Sequence, residues 1–249
     1  MNKNLALSAV LFLTLASNLF AQDIPKSAVI LEKRNVTANR QFILWMPNPK
    51  KVPRETDDEI YTCPEETRGS YYSGIAKVSL FDLKTKKIIN TIEIAGNGIS
   101  SDDNTLDLPY WIHRGIYEVP KLDDLLHGKP ILINLKDYNS DGKAFEFALF
   151  DAVACMGLET TLIGYSQKQD KVIQYEIELK TDDGTSKVYW VDSFFGQKAD
   201  KKGVWKYNID YRGRGGAYEM YEIRYDKQKE SFYGRRTSIF EDDGKKPHK

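Results

Sequence analysis

The chain has 249 residues, with 36 Lys and Arg against 36 Asp and Glu. A formal charge of zero excludes a general nucleic-acid or anionic-membrane binder, which carries a surplus of basic residues. The length suffices for one sizeable core, since all-β domains often reach about 200–250 residues.

At the N-terminus Lys3 precedes an apolar and small-residue run of 12 residues, 5–16. Ser17, Asn18, Leu19, Phe20 and Ala21 follow, and charge returns at Asp23. A basic start, a short apolar core and a small residue before the change in composition are the pattern of a secretory signal. The run is well short of the roughly 20 residues that cross a bilayer as a helix. The expectation is a signal peptide over 1–21, cleaved near Ala21, and an exported chain in the periplasm or outside the cell. No cysteine near the boundary offers a site for a lipid anchor, and no second apolar span predicts a membrane crossing.

Two cysteines, Cys63 and Cys155, remain in the expected mature chain. In an oxidising compartment an even count suggests a disulfide. The bond would close a loop of 93 residues, counting both cysteines, worth about 4–5 kcal/mol in the chain-entropy picture. The alternative is a buried thiol at Cys155, which lies in the small apolar run Ala152-Val153-Ala154-Cys155-Met156.

The mature chain reads as strands from its start, with apolar stretches at 28–31 and 41–45. Pro47, Pro49, Pro53 and Pro64 then confine 47–68 to loop or edge structure. A hairpin follows, with arms at 75–83 and 88–94 around Lys84-Thr85-Lys86-Lys87. The span 96–130 breaks the pattern. It holds Asp102 and Asp103, a turn or two of helix expected over 121–127, and Pro109-Tyr110-Trp111-Ile112-His113-Arg114-Gly115. That mixture suits sugar or acid recognition, but such a cluster is more often a partly buried loop anchor.

From Ile131 eight arms are expected, near 131–136, 144–151, 159–166, 172–180, 187–195, 203–211, 217–226 and 231–240, each separated by turn chemistry. Trp205, Tyr207, Ile209 and Tyr211 alternate with Lys206, Asn208 and Asp210, giving one buried and one wet face. The predicted fold is all-β: an antiparallel meander forming one sandwich-like or barrel-like domain over 22–241, with a disordered polar tail at 242–249.

The strongest chemical signal is Asp137-Tyr138-Asn139-Ser140-Asp141-Gly142-Lys143-Ala144-Phe145-Glu146. Oxygen side chains at positions one, three and five wrap a hard cation when the chain turns sharply at the sixth, where glycine tolerates the dihedrals. Calcium takes six to eight oxygens, so Asp137, Asn139 and Asp141 are the expected side-chain ligands, with the Lys143 carbonyl and Glu146 completing the set. The segment resembles the Asp-x-Asn-x-Asp-Gly loops of integrin-type FG-GAP repeats and the first half of an EF-hand loop. That resemblance implies one calcium ion at a junction between two strands. Phe145 replaces the usual acid at position nine, and Ala148 stands where an EF-hand has its twelfth-position carboxylate. Without a metal the same residues make an Asx-rich turn. The span 137–175 also resembles a block of exported bacterial proteins of unknown function.

Other motifs carry less. His113, His127 and His248 lack zinc spacing, and Arg212-Gly213-Arg214-Gly215-Gly216 reads as a hairpin loop between strands. No nucleophile elbow, zinc-protease helix, P-loop or Cys-x-x-Cys pair is present. Two readings follow. One is an exported, non-enzymatic β-rich binding or interaction protein of the cell envelope, with a calcium-stabilised hairpin. The other is an exported hydrolase using two carboxylates, acting on glycans.

Overall fold

The computed structural model describes residues 23–53, 70–96, 104–109, 117–118, 130–153 and 157–240. The expected signal segment, both cysteines, the 110–115 aromatic cluster, the 121–127 helical turn and the 242–249 tail lie outside them. Among the described residues there is no α-helix.

In the first half the strands are β1 (Val29–Asn35), β2 (Arg40–Met46), β3 (Lys50–Val52), β4 (Tyr71–Ile75), β5 (Lys77–Asp82), β6 (Lys87–Glu93) and β7 (Thr105–Leu108). They form two antiparallel sheets, ordered β1-β2-β5-β6 and β3-β4-β7. The expected hairpin at 75–94 is β5 and β6, and Asp82 Oδ1 accepts the Lys84 and Thr85 amides to close its turn. Among the described residues of the proline-rich segment, 50–52 form the edge strand β3.

The second half supplies β8 (Glu146–Val153), β9 (Gly157–Ser166), β10 (Lys171–Gln174), β11 (Ile177–Thr181), β12 (Gly184–Val188), β13 (Val191–Asp192), β14 (Val204–Asp210), β15 (Tyr218–Asp226) and β16 (Ser231–Ile239). One sheet runs β10-β9-β13 with β8 also paired to β9, and a five-stranded sheet runs β12-β11-β16-β15-β14. The four sheets stay open and none closes into a barrel, so the all-β, sandwich-like reading holds.

Three departures from the meander have identifiable causes. The expected arm at 131–136 is irregular, because Glu32 Oε2 accepts the Leu132 and Ile133 amides (2.5 and 3.0 Å) in place of a strand partner. The arm at 172–180 breaks at Tyr175 and Glu176, whose carbonyl receives the Phe232 amide. The arm at 187–195 ends at Ser193, which adopts φ +52° and starts a 3-10 turn at Phe194–Gly196. Consequently β11 pairs in parallel with β16, through Ile177–Phe232 and Leu179–Gly234.

One apolar core runs from Phe42 to Phe232. Phe42 and Phe147 join the first sheet to the β8–β9 sheet, with ring centroids 5.5 Å apart. Asn90 on β6 exchanges two 2.9 Å hydrogen bonds with the Val172 backbone. Arg40 on β2 makes a bidentate pair with Asp170 in the β9–β10 turn, at 2.8 and 2.7 Å. These polar ties fix the two sheets in register at the rim of the core.

Candidate metal centre

The 137–142 loop leads into β8, and its side chains are held by its own backbone. Asp137 Oδ1 and Asn139 Oδ1 both accept the Asp141 amide at 2.9 Å, so two of the expected ligand oxygens converge on one point. Asp137 Oδ2 accepts the Gly142 amide at 3.0 Å, and Asp141 Oδ1 turns to the Lys143 amide at 2.9 Å. Ser140 at φ +62° and Gly142 at φ +97° make the tight curl. Only glycine takes the second angle without strain. The Ser140 hydroxyl accepts the Gly203 amide, anchoring the loop to the start of β14.

Behind the loop lies Glu146, 1% exposed. Its Oε1 accepts the Tyr175 hydroxyl at 3.4 Å, and that hydroxyl accepts the Asn139 Nδ2 at 3.3 Å. Its Oε2 is buried without a hydrogen-bond partner. Burial pushes the carboxyl up to about 8, the charges of Asp141 and Asp137 push the same way, and the Tyr138 amide and Tyr175 hydroxyl pull it part of the way back. A buried carboxylate oxygen with no partner costs several kcal/mol when ionised, and a cation is one remedy.

The expected set is therefore gathered unevenly. Asp137 and Asn139 meet, Asp141 faces its own turn, Lys143 is exposed, and Glu146 connects to the loop through Tyr175. Among the described residues no three of His, Cys, Asp and Glu form a group that could hold a metal ion. Two residues at this centre were not singled out from sequence. Tyr175 is the buried bridge, and Gly164 on β9 leaves room for it. A Cβ at Gly164 would lie 2.8 Å from Tyr175 Cε2 and 2.9 Å from Glu146 Cγ. The available signal was a lone glycine inside a strand pattern, which marks close approach of another group. Gly164→Ala should lose about 1–3 kcal/mol by overpacking, read as a lower midpoint in urea unfolding.

Against family models, curated proteins and solved structures alike, the chain has no match.

Proposed function

We propose that this is an exported β-rich binding or interaction protein of the cell envelope, with one calcium ion stabilising the 137–146 hairpin entry. The observation that carries the reading is Glu146, a buried acid with an unpartnered oxygen, placed directly behind a loop in which Asp137 and Asn139 already converge. Calcium would be held by Asp137, Asn139, Asp141, the Lys143 carbonyl and Glu146. Its role there is to replace the amide hydrogen bonds that now satisfy the loop and to offset the like charges of its acids.

A polar cavity of about 730 Å3 supports the binding half of this reading, and its size suits a small ligand. Glu176, Glu178, Lys187, Asp226, Glu230 and Tyr233 are among its walls. Glu176 pairs with Lys187 at 2.8 Å, and Glu230 accepts Ser166 and Gln169. Acids engaged in this way suit recognition better than the free acid–base pair a glycoside hydrolase needs. Tyr175, behind the loop, feels the charges of both Glu146 and Glu230, the latter a wall of the cavity.

The test is thermal unfolding with calcium and with chelator. A hundredfold excess of calcium over its dissociation constant should stabilise the wild type by about 2.7 kcal/mol, and Asp141→Ala should lose most of that gain. Equal melting temperatures in both solutions, with no calorimetric heat at millimolar calcium, would leave the loop an ordinary turn.

A further inference from the structure

The cavity lies where the chain passes from β10 into β11, at the break around Tyr175 and Glu176. The Glu176 carbonyl receives the Phe232 amide there, at 2.8 Å, as β11 and β16 begin to run in parallel. Asp226, Lys229 and Glu230, around the turn between β15 and β16, line another part of it. That turn is firmly held. Asp226 Oδ1 accepts the Gln228 and Lys229 amides at 2.9 and 3.1 Å, while Glu230 Oε2 accepts the Ser166 hydroxyl and the Gln169 side-chain amide at 2.9 and 3.2 Å. Little ordering is left for a ligand to impose on it.

Three polar groups of the lining stay unanswered. The Glu178 carboxylate, the Lys229 ammonium and the Tyr233 hydroxyl have no hydrogen bond or ion pair among the described residues. Glu230 Oε1 is likewise open, because both donors reach Oε2. Ile173, Phe232 and the Tyr233 ring add apolar surface, and Tyr233 is 49% exposed. Acceptors, donors and an exposed aromatic ring thus share one cavity.

This combination selects among ligand charges. Four carboxylates outnumber two lysines in the lining, so an anion is repelled. A cation finds Glu178 but is opposed by Lys229, and Glu176, Asp226 and Glu230 already have donors. A neutral polyol meets no opposing charge. Each of its hydroxyls both donates and accepts, so one can accept from Lys229 and donate to a carboxylate. A sugar ring also carries an apolar C–H face, which suits a tyrosine with one dry and one wet end. The volume of about 730 Å3 leaves room for more than one ring.

We propose that the cavity is a binding cleft for a short neutral oligosaccharide, with ring faces against Tyr233 and hydroxyls bridging Glu178, Glu230 and Lys229. This ligand class rests on the cavity being a binding site rather than a hydrolytic one.

The experiment uses the full chain in chelator, so that the calcium loop does not enter, with maltotriose, cellotriose and triacetylchitotriose as neutral probes. Citrate and spermidine are the acidic and basic counterparts. Calorimetry should give binding of at least one neutral probe in the millimolar range or tighter, with no heat from citrate. Tyr233→Ala and Glu178→Gln, both at exposed positions, should each weaken that probe about tenfold, near 1.4 kcal/mol. Met220→Ala, on the same sheet but outside the cavity, should bind as the wild type does. Chromatography of the recovered probe separates the two readings: a bound but shortened sugar supports the cleft and overturns the non-enzymatic reading. Heat from spermidine and from none of the neutral probes overturns the sugar proposal while the protein remains a binding protein. No heat from any probe at about 10 mM, or equal affinity in Tyr233→Ala and wild type, also overturns it.

Discussion

Replacing Phe232 with alanine should lower the stability of the fold by about 3–5 kcal/mol. The residue is 1% exposed and is the point where the aromatic side chains of the second half converge. Its ring meets Phe194 at 5.6 Å, Phe195 at 5.5 Å, Trp205 at 5.8 Å, Tyr175 at 5.9 Å and Tyr225 at 4.9 Å. These neighbours come from the 3-10 turn, β14, β15 and the break between β10 and β11, so none can collapse into the space without displacing another. Edge-to-face pairs add about 0.5–1.5 kcal/mol each beyond area burial, which places the loss toward the upper end. In urea unfolding the midpoint should fall while the slope stays unchanged. A loss below about 1 kcal/mol would mean that the cluster packs without its centre.

The second large effect concerns Glu146 in the calcium-free protein. Its carboxyl is raised from about 4.5 to about 8 in the folded state, first by burial and then by Asp141 and Asp137. An acid raised in this way holds its proton more tightly folded than unfolded. Its favourable share is complete below the unfolded value near 4.5 and is lost as pH rises through the folded value near 8. The wild type in chelator should therefore lose on the order of 3–5 kcal/mol between pH 4.5 and 8 through this group. Glu146→Gln should remove most of that slope, matching the wild type near pH 4.5 and exceeding it at pH 8. Parallel stability–pH curves for the two proteins would rule out Glu146 as the cause.

Several elements were legible because their determinants are local. The alternation of Trp205, Tyr207 and Ile209 with Lys206, Asn208 and Asp210 is a property of six consecutive residues, and β14 follows it. The 84–87 turn carries its own cap in Asp82. The curl at 137–142 was readable for the same reason, because Asp137, Asn139, Asp141 and Gly142 are all within six positions. What escaped the sequence depends on partners far along the chain. Glu32 takes the Leu132 and Ile133 amides across a hundred positions, and no local pattern announces this. Tyr175 fitted the alternation of a strand, yet its hydroxyl is committed to Asn139 and Glu146. Glu146 was placed by spacing as a ligand at the loop's end, whereas the strand carries it behind the loop, where burial rather than spacing sets its chemistry. The cavity is invisible until β16 is laid against β11.

The order of the five-stranded sheet sets a timetable for folding. β16 is late in the chain but interior in its sheet, between β11 and β15. A polypeptide that emerges N-terminus first, as from the ribosome, can form the β11–β12 and β14–β15 hairpins as they appear. Each keeps a bare inner edge until residues 231–239 arrive and join Ile177 to Phe232, 55 positions away. Such distant pairing is slow, since the intervening chain must be ordered before any contact rewards it. During that interval two strand edges are open to pairing with other chains. The emergence of these nine residues, and not the formation of the hairpins, ends the chain's period of greatest exposure to aggregation.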